Sequence, residues 1–309
     1  MAGRVVVVTG ATGAIGKEIA LGLAAKGAEL VLAARNVPKA QAVAKEITAK
    51  TKNSHIRVEQ VDLCSPTSIS GFAARLSSQP GGVDVLINNA AVVPPNKVLT
   101  SDGIELQFAT NVLSYFLLST LLRPLLKNSA KVSKKSGGGP ARIINVASQY
   151  AGGLDLNDVN FDRRRYNANS AYRQTKQADR MLSWAAAERF EEDGIIVHAC
   201  HPGVVTSTLL NGLGFGMGFD RAATAASTPI FLASAPAGRL GTGRYWKSSK
   251  ALQCQFAADK KAQDALWERC ASMCDSVLRS GSSTAGSSER KECVVPKLQS
   301  EKKKPTVSL

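Results

Sequence analysis

Two side chains that can share a proton stand four residues apart in "NSAYRQTKQ" (169–177), at Tyr172 and Lys176. On a helix, residues at this spacing lie on one face. A free phenol has a pKa of about 10, and a neighbouring ammonium stabilises the phenolate and lowers that pKa. The pair therefore indicates a general acid or base, although the same spacing also occurs on ordinary helix surfaces.

Two further polar residues stand where sites form in α/β proteins. Ser148 ends the apolar stretch "ARIINVAS" (141–148), so its hydroxyl falls at the carboxyl edge of a predicted strand. Asn111 lies within a long apolar helix predicted at 103–127, where a buried amide needs hydrogen-bond partners. The candidate catalytic residues are Asn111, Ser148, Tyr172 and Lys176.

The glycine-rich stretch "TGATGAIG" (9–16) connects the apolar "RVVVV" to a predicted helix. At such a turn an anion can reach the amides of the helix N-terminus, provided that no Cβ intervenes. We expect Gly10 to permit the tight turn, Gly13 the approach of a pyrophosphate, and Gly16 the packing of the helix on the sheet. The stretch predicts a dinucleotide-binding loop.

The end of the second predicted strand indicates which dinucleotide binds. Arg35 and Asn36 stand there, and no carboxylate occurs between Val31 and Gln41. A carboxylate would hydrogen-bond the ribose 2′-hydroxyl of NAD, whereas a guanidinium suits the 2′-phosphate of NADP. We therefore predict NADP (NADPH) rather than NAD. A surface arginine without a ligand is the alternative.

Asp62 follows the third predicted strand and has two interpretations. It accepts a hydrogen bond from the adenine amino group, or it caps the helix that begins near Ser65.

Short apolar strands alternate with amphipathic helices along most of the chain. This alternation predicts an α/β fold, with a single doubly wound (Rossmann-type) parallel sheet flanked by helices on both faces. The predicted strands are 4–10, 28–35, 55–63, 83–90, 141–148 and 195–203, and the main helices are 14–26, 38–50, 103–127 and 170–192.

Composition suggests the domain organisation. Residues 1–279 are predicted to form one NADP-binding domain, with a polar, basic and glycine-rich flexible insert at about 127–140. From residue 280 the chain is too polar to bury itself, and we expect residues 280–309 to form a basic disordered tail.

Charge and apolar content argue against several classes of function. The net charge of +15 is spread over loops and the tail without interleaved aromatic residues, so we expect no nucleic-acid partner and at most weak peripheral membrane contact. No apolar run reaches the roughly 18 residues of a membrane span. The first strand begins almost at the N-terminus, which favours a cytoplasmic protein without a leader. Ordinary packing explains the cluster of His198, Cys200 and His201 better than metal binding, and we expect no metal.

Taken in order, these motifs resemble those of the short-chain dehydrogenase/reductase family over about residues 3–270. The matching stretches are "TGATGAIG", Asp62-Leu63, "NNA" (88–90), Asn111, Ser148, "YRQTK" (172–176) and "PGVVTST" (202–208).

The resemblance implies roles for the candidate residues. Tyr172 would be the general acid/base, and Lys176 would lower its pKa and hold the nicotinamide ribose. Ser148 would orient the substrate oxygen, and Asn111 would hold a helix kink and a proton-relay water. The implied cofactor-binding residues are Gly10, Thr12, Gly13, Ile15, Gly16, Arg35, Asn36, Asp62, Leu63, Asn89, Ala90, Ala91, Tyr172, Lys176, Pro202, Gly203, Val205 and Thr206.

Three departures from the family pattern are informative. Ala14 replaces a glycine, so the loop has the T-G-x-x-G-x-x-G spacing of the family's sugar-nucleotide enzymes, and Ala91 replaces the glycine of "NNAG". Ser148 precedes Tyr172 by 24 positions, about a dozen more than the commonest spacing. The longer spacing and its sequence resemble the branch that contains retinol dehydrogenases and protochlorophyllide reductase.

The segment "TLLNGLGFGMGFD" (208–220) suggests the substrate class. An apolar lid over the nicotinamide has this composition, and so does an ordinary packed loop. The sequence favours an NADP(H)-dependent enzyme that interconverts a hydrophobic carbonyl and its alcohol. The alternatives are a catalytically silent nucleotide-binding module that uses its basic tail and a sugar-nucleotide-modifying enzyme. The resemblance also implies a homodimer through the helices at 103–127 and 171–192.

Overall fold

A computed structural model describes residues 1–135 and 139–283. Eight strands form one sheet: β1 (Val5–Thr9), β2 (Glu29–Ala34), β3 (Ile56–Gln60), β4 (Val85–Asn88), β5 (Ala141–Val146), β6 (Ile195–His201), β7 (Arg244–Lys247) and β8 (Lys250–Leu252). Their order is β3-β2-β1-β4-β5-β6-β7-β8, with β8 alone among these strands pairing antiparallel. The predicted doubly wound parallel sheet is confirmed.

Helices cover both faces of this sheet. They are α1 (Ala14–Ala24), α2 (Val37–Thr51), α3 (Pro66–Ser77), α4 (Leu106–Phe108), α5 (Ser114–Leu121), α6 (Arg123–Lys135), α7 (Ala168–Phe190), α8 (Thr208–Gly212), α9 (Ala222–Ser234) and α10 (Lys260–Ser283). One face packs against α3, α5, α6, α7 and α10, and the other against α1, α2 and α9.

The central strands are apolar on both sides because both faces are covered. In β1, Val7 belongs to one core, and Val6 and Val8 to the other. From β3 the chain crosses to the opposite side of β1, where β4 lies. The carboxyl ends of β1 and β4 therefore form the crevice at which ligands bind in such sheets.

A chain of buried hydrogen bonds holds α7 against the centre of the sheet. Asn88 Nδ2 donates to Asn145 Oδ1 (2.9 Å), and Asn145 Nδ2 donates to Ser183 Oγ (2.9 Å). Ser183 Oγ in turn donates to the carbonyl of Asp179 (2.7 Å). The residues that follow β4 and those on α7 are thereby fixed relative to each other.

The last two strands were missed in the sequence. β7 and β8 form a hairpin whose two loop residues, Ser248 and Ser249, both have positive φ (50° and 58°). That geometry usually selects Asn-Gly or Asp-Gly, and two serines do not give this signal.

The region between α4 and β5 differs from the single helix and flexible insert that were predicted. A π-helical turn (Ala109–Leu113) separates α4 from α5, and α6 continues to Lys135. Residues 127–135 are thus helical, because Leu126, Ser129 and Ala130 give α6 a buried stripe. Residues 136–138 lie outside the described residues.

The predicted tail begins within a helix. Residues 280–283 continue α10, and residues 284–309 lie outside the described part of the chain. Within residues 1–135 and 139–283, the structure contains no helix that is long and apolar enough to cross a membrane.

Candidate active site

The phosphate loop (residues 9–16) is closed by backbone contacts at two of its glycines. Gly10 has a φ of +68°, and a Cβ there would lie 2.8 Å from Ala90 Cα. A Cβ at Gly16 would come closer than 3.0 Å to the Gly10 carbonyl oxygen. At these two glycines the absence of a side chain therefore lets the loop and α1 pack against the residues after β4.

Gly13 is different because the position that a side chain would take there is open. It is exposed, and a Cβ there would meet only the Gly10 carbonyl oxygen, at 3.4 Å. Gly13 is the N-cap of α1, no side chain caps this helix, and its first turn contains no acidic residue. The N-terminal amides of α1 are thus available to an anion. Thr12 and Ile15 are half-buried on either side.

Ala14 does not close this opening. Its residue is exposed at the start of α1, so the methyl group takes no space between the helix and the sheet. The departure from the common glycine spacing therefore leaves the phosphate loop accessible.

Arg35 and Asn36, at the end of β2, have different roles in the structure. Arg35 is exposed and makes no hydrogen bond or ion pair with any described residue, so its guanidinium is free to bind a ligand. Asn36 caps α2, because its Oδ1 accepts from the Lys39 N–H (2.9 Å). The helix thus occupies the oxygen of Asn36, which was predicted as a cofactor contact.

Asp62 fixes the turn after β3 rather than capping α3. The cap is Ser65, whose Oγ accepts from the Ser68 N–H (3.2 Å). Asp62 Oδ1 accepts from the backbone N–H and the thiol of Cys64, both at 3.2 Å. Burial, and then Asp62, raise the pKa of the Cys64 thiol to about 11. Leu63 is half-buried and packs against the core.

The residues after β4 are pinned to β1 by Thr9. Its Oγ1 accepts from the backbone N–H groups of Asn89 (2.9 Å) and Ala90 (3.1 Å), and Asn89 Nδ2 donates to the Thr9 carbonyl (2.9 Å). Tyr115 Oη donates to the Ala90 carbonyl (2.9 Å). Asn89, Ala90 and Ala91 are half-buried, so this segment forms a wall of the crevice.

Asn111 is fully buried and lies in the π-helical turn. Its Oδ1 accepts from the Val92 N–H (2.9 Å), and its Nδ2 donates to the Val92 carbonyl (3.1 Å) and to Thr175 Oγ1 (3.3 Å). The amide thus joins the segment after β4 to α7. A π-helical turn thus interrupts the predicted helix at Asn111, and the kink and the proton-relay water that the resemblance implies stay predictions.

Tyr172, Ser148 and Lys176 come together at the carboxyl edge of β5. All three are buried, with 6%, 8% and 1% of their surface exposed. Lys176 Nζ lies 5.8 Å from the centroid of the Tyr172 ring. Ser148 Oγ accepts from the Tyr150 N–H (3.1 Å), and the Tyr150 ring stacks on Tyr172 with a centroid distance of 6.5 Å.

The electrostatic balance at Tyr172 differs from the expectation. Burial raises its pKa, the charge of Lys176 and a hydrogen bond with Ser148 lower it, and Asp179 raises it again. Lys176 acts in the predicted direction, but burial outweighs it. The phenol is therefore protonated at neutral pH.

Lys176 has a partner that the sequence analysis missed. Its Nζ donates to the Val146 carbonyl (3.0 Å) and to Asp179 Oδ2 (2.7 Å). Burial raises the pKa of Asp179 to about 6, although Lys176 opposes this rise. The three-residue spacing of Lys176 and Asp179 on a helix is the signal that could have identified the pair.

The segment after β6 is tied to the apolar loop (residues 208–220). Gly203 has a φ of +131°, and the Val204 N–H donates to Asp220 Oδ2 (2.7 Å). The Gly218 N–H donates to Thr206 Oγ1 (2.9 Å). Pro202 and Gly203 are half-buried, Val205 is buried and Thr206 is exposed.

The tip of the apolar loop exposes large apolar side chains near Tyr172. Phe215, Met217 and Phe219 are 48%, 75% and 92% exposed. The Phe215 ring meets the Tyr150 ring edge-on at 6.2 Å, and Tyr150 stacks on Tyr172. The loop therefore lies beside the candidate catalytic residues.

The His198, Cys200 and His201 cluster packs within the sheet. His198 Nδ1 accepts from Trp246 Nε1 (3.3 Å), and His201 Nδ1 accepts from the Gln149 N–H (3.3 Å). Burial lowers the pKa of both histidines to about 4. The described residues contain no group of three or more side chains arranged to hold a metal ion.

Comparison with known proteins agrees with the motifs. A family model for the short chain dehydrogenases matches residues 4–214. Human retinol dehydrogenase 13 is 41% identical over 209 residues, which are 67% of this chain and only 60% of that protein. The short-chain dehydrogenase TIC 32 B of the Brassica napus chloroplast is 33% identical over 288 residues, or 88% of each chain.

Solved structures with the same fold contain nicotinamide dinucleotides. RhlG of Pseudomonas aeruginosa with NADP has a TM-score of 0.62 and 27% identity, over 79% of this chain and 94% of that one. Carbonyl reductase from chicken fatty liver with NADPH has a TM-score of 0.60 and 25% identity, over 82% of this chain and 100% of that one. A 3-ketoacyl-(acyl-carrier-protein) reductase of Brucella melitensis with NADH has a TM-score of 0.61 over 79% of this chain and 96% of that one. At 24% identity this likeness shows only that the two chains share a fold.

Proposed function

The chain belongs to the short-chain dehydrogenase family, in its retinol dehydrogenase-like branch, and we propose that it is an NADP(H)-dependent oxidoreductase that interconverts a hydrophobic carbonyl and its alcohol. The observation that carries the proposal is the buried Tyr172, with Ser148 and Lys176 beside it, at the edge of the sheet where the amides of α1 are open. A catalytically silent module would not need this complete set, and no contact in the site favours a sugar nucleotide.

The crevice fits a dinucleotide. The open side of Gly13 and the uncapped N-terminus of α1 suit its pyrophosphate, and Asp62 and the wall formed by Asn89–Ala91 suit its adenosine half. Pro202, Gly203, Val205 and Thr206, after β6, would line the other end of the crevice, where the nicotinamide would lie. When bound, the dinucleotide supplies or accepts the hydride.

The proton is handled by the chain's own residues. In reduction, the Tyr172 hydroxyl donates its proton to the carbonyl oxygen while the carbonyl carbon receives the hydride, and the alcohol forms. The resulting phenolate is stabilised by Lys176 and by a hydrogen bond from Ser148. In oxidation, the phenolate takes the proton back from the alcohol.

Arg35 supports a preference for NADP over NAD. It is exposed at the end of β2 and has no partner among the described residues, so a 2′-phosphate would provide one through charge-assisted hydrogen bonds. A carboxylate that would repel this phosphate is absent between residues 31 and 41.

The apolar loop supports a hydrophobic substrate. Its exposed Phe215, Met217 and Phe219 would be covered if the loop closed over an apolar molecule beside Tyr150. A homodimer and a cytoplasmic location stay predictions. Size-exclusion chromatography and imaging of the tagged full-length chain would test them.

Turnover with and without the Tyr172 hydroxyl tests the proposal. NADPH consumption is measured with a panel of apolar aldehydes and ketones, for the wild type, Tyr172→Phe and Tyr150→Phe. We expect Tyr172→Phe to lose at least about 100-fold in kcat/KM because the proton donor is removed. Tyr150→Phe deletes the same group from the neighbouring ring and should stay within a few-fold. Robust activity of Tyr172→Phe would refute the assignment.

A further inference from the structure

The buried ion pair between Lys176 and Asp179 is the feature of the site that the reaction described above does not require. Both residues lie on α7, each is only 1% exposed, and Lys176 Nζ lies 2.7 Å from Asp179 Oδ2. The other oxygen, Asp179 Oδ1, is buried and has no hydrogen-bond partner among the described residues. A buried carboxylate with one unsatisfied oxygen is costly, so the pair is unlike an ordinary surface ion pair.

The pair also uses up most of the donors of Lys176. An ammonium has three N–H groups. One is directed to the Val146 carbonyl and one to Asp179 Oδ2. A single donor remains for the crevice, where a ribose hydroxyl and the oxygen of Tyr172 would both need it.

The surroundings make Lys176 the dominant partner of Asp179. The groups that face the carboxylate from neighbouring elements are Tyr115 on α5 and Cys270 on α10; burial raises the pKa of both, and Asp179 raises it further. Cys200 on β6 faces Lys176. The nearby Arg180 turns away from the pair, because it donates to the Ser148 carbonyl and to Tyr245 Oη.

We propose that Asp179 is a positioning residue that withholds part of the charge and one donor of Lys176 from the reaction centre, and thereby adds to the effect of burial in keeping Tyr172 protonated. This inference rests on the proposed function, because it assigns the pH range in which Tyr172 acts. Carbonyl reduction needs a protonated Tyr172 and would run across neutral pH. Alcohol oxidation needs the phenolate and would be confined to alkaline pH.

The sign of the effect follows from the charges. Asp179 is mostly ionised at neutral pH, since its pKa is about 6, and an anion beside Lys176 raises the pKa of Tyr172. Replacing the carboxylate with an amide removes this anion but keeps an oxygen that can accept from Lys176. The pKa of Tyr172 should then fall, and oxidation should extend toward neutral pH.

The test compares Asp179→Asn with Asp193→Asn. Asp193 is another buried carboxylate with cationic partners, Arg123 and Lys127. For each protein, kcat/KM of NADP-dependent alcohol oxidation is measured against pH. We expect Asp179→Asn to be roughly three- to tenfold faster than the wild type near pH 7, where the rate follows the phenolate fraction, and to shift its alkaline limb to lower pH. Asp193→Asn should show no shift.

Each outcome decides the proposal. A lower melting temperature of Asp179→Asn with an unchanged pH profile would mean a purely structural role and would overturn it. If no substrate is turned over, the proposed function fails but this inference is still tested. Tyrosinate absorbance of each protein minus its Tyr172→Phe form should then show a lower midpoint in Asp179→Asn. An equal midpoint would contradict the proposal.

If Asp179→Asn does not fold, Asp179→Ser takes its place in the same difference titration of Tyr172, because serine also removes the anion and keeps an oxygen that can accept from Lys176. A midpoint below that of the wild type supports a withheld ammonium. A midpoint equal to that of the wild type overturns the proposal.

Discussion

The phosphate loop and the tip of the apolar loop are both rich in glycine, but the glycines serve opposite purposes. At Gly10 and Gly16 a side chain would meet backbone within 3.0 Å, whereas at Gly214 and Gly216 nothing lies within 4 Å. Away from its tip the apolar loop is tight, because a Cβ at Gly212 or Gly218 would lie less than 3.0 Å from backbone atoms. The phosphate loop is thus fixed by close backbone contacts. The tip of the apolar loop carries exposed side chains and has free space around its glycines.

The largest effect is expected from a methyl group in the phosphate loop. Gly16→Ala should lower the free energy of unfolding by about 3 kcal/mol, because the clash with the Gly10 carbonyl and Asn89 exceeds the gain of about 1 kcal/mol from helix propensity. Gly216→Ala, in the apolar loop, should change it by less than about 0.5 kcal/mol. Urea unfolding measures both. Equal effects would mean that the two loops do not differ in this way.

A smaller effect is expected where the cofactor would meet a side chain instead of backbone. Arg35→Glu should weaken NADPH binding about 30-fold, equivalent to about 2 kcal/mol, because a charge-assisted contact becomes a repulsion. Binding of NADH, which lacks the 2′-phosphate, should change little. Fluorescence titration gives both Kd values.

The control for this change is Arg57→Glu on the neighbouring β3. It alters the net charge equally, and Arg57 is also exposed, but it lines a groove with Arg4 and Glu29 away from the phosphate loop. If Arg57→Glu discriminates against NADPH as strongly as Arg35→Glu, overall charge rather than a specific site selects the dinucleotide.

The smallest effect is expected at the apolar loop. Phe219→Ser should lower kcat/KM for an apolar carbonyl about three- to tenfold through KM, because less apolar surface would be buried on the substrate. The NADPH Kd and the melting temperature should not change, since Phe219 is 92% exposed. Leu252→Ser, an exposed apolar residue on β8, is the matched control. A loss of NADPH affinity in Phe219→Ser would place the loop at the cofactor instead.

Much of the fold could be predicted from local patterns. Apolar runs between helices predicted the core strands to within a few residues, because strands covered on both faces must be apolar throughout. The hairpin of β7 and β8 could not be predicted, since Ser248 and Ser249 give no turn signal. Helix α6 was mistaken for an insert because its basic surface hides a narrow buried stripe at Leu126, Ser129 and Ala130.

The residues of the candidate site could be predicted, but their hydrogen-bond partners and the direction of their pKa shifts could not. Spacing identified Tyr172 and Lys176, but burial decides the direction of the Tyr172 pKa. Similarly, Asn36 and Asp62 were recognised as polar residues at strand ends. Only their hydrogen bonds show that Asn36 caps α2 and that Asp62 holds the turn at Cys64.

The sequence alone determined the strands, the helices and the residues at their ends, because these follow from local alternation of apolar and polar residues, and its motifs in order gave the resemblance that implies the set of site residues. The tertiary structure decided how far the ammonium of Lys176 is available there. The burial of Tyr172 and the distance from Lys176 Nζ to the Asp179 carboxylate depend on how the neighbouring helices and strands pack. Neither quantity can be predicted from the spacing of residues along the chain.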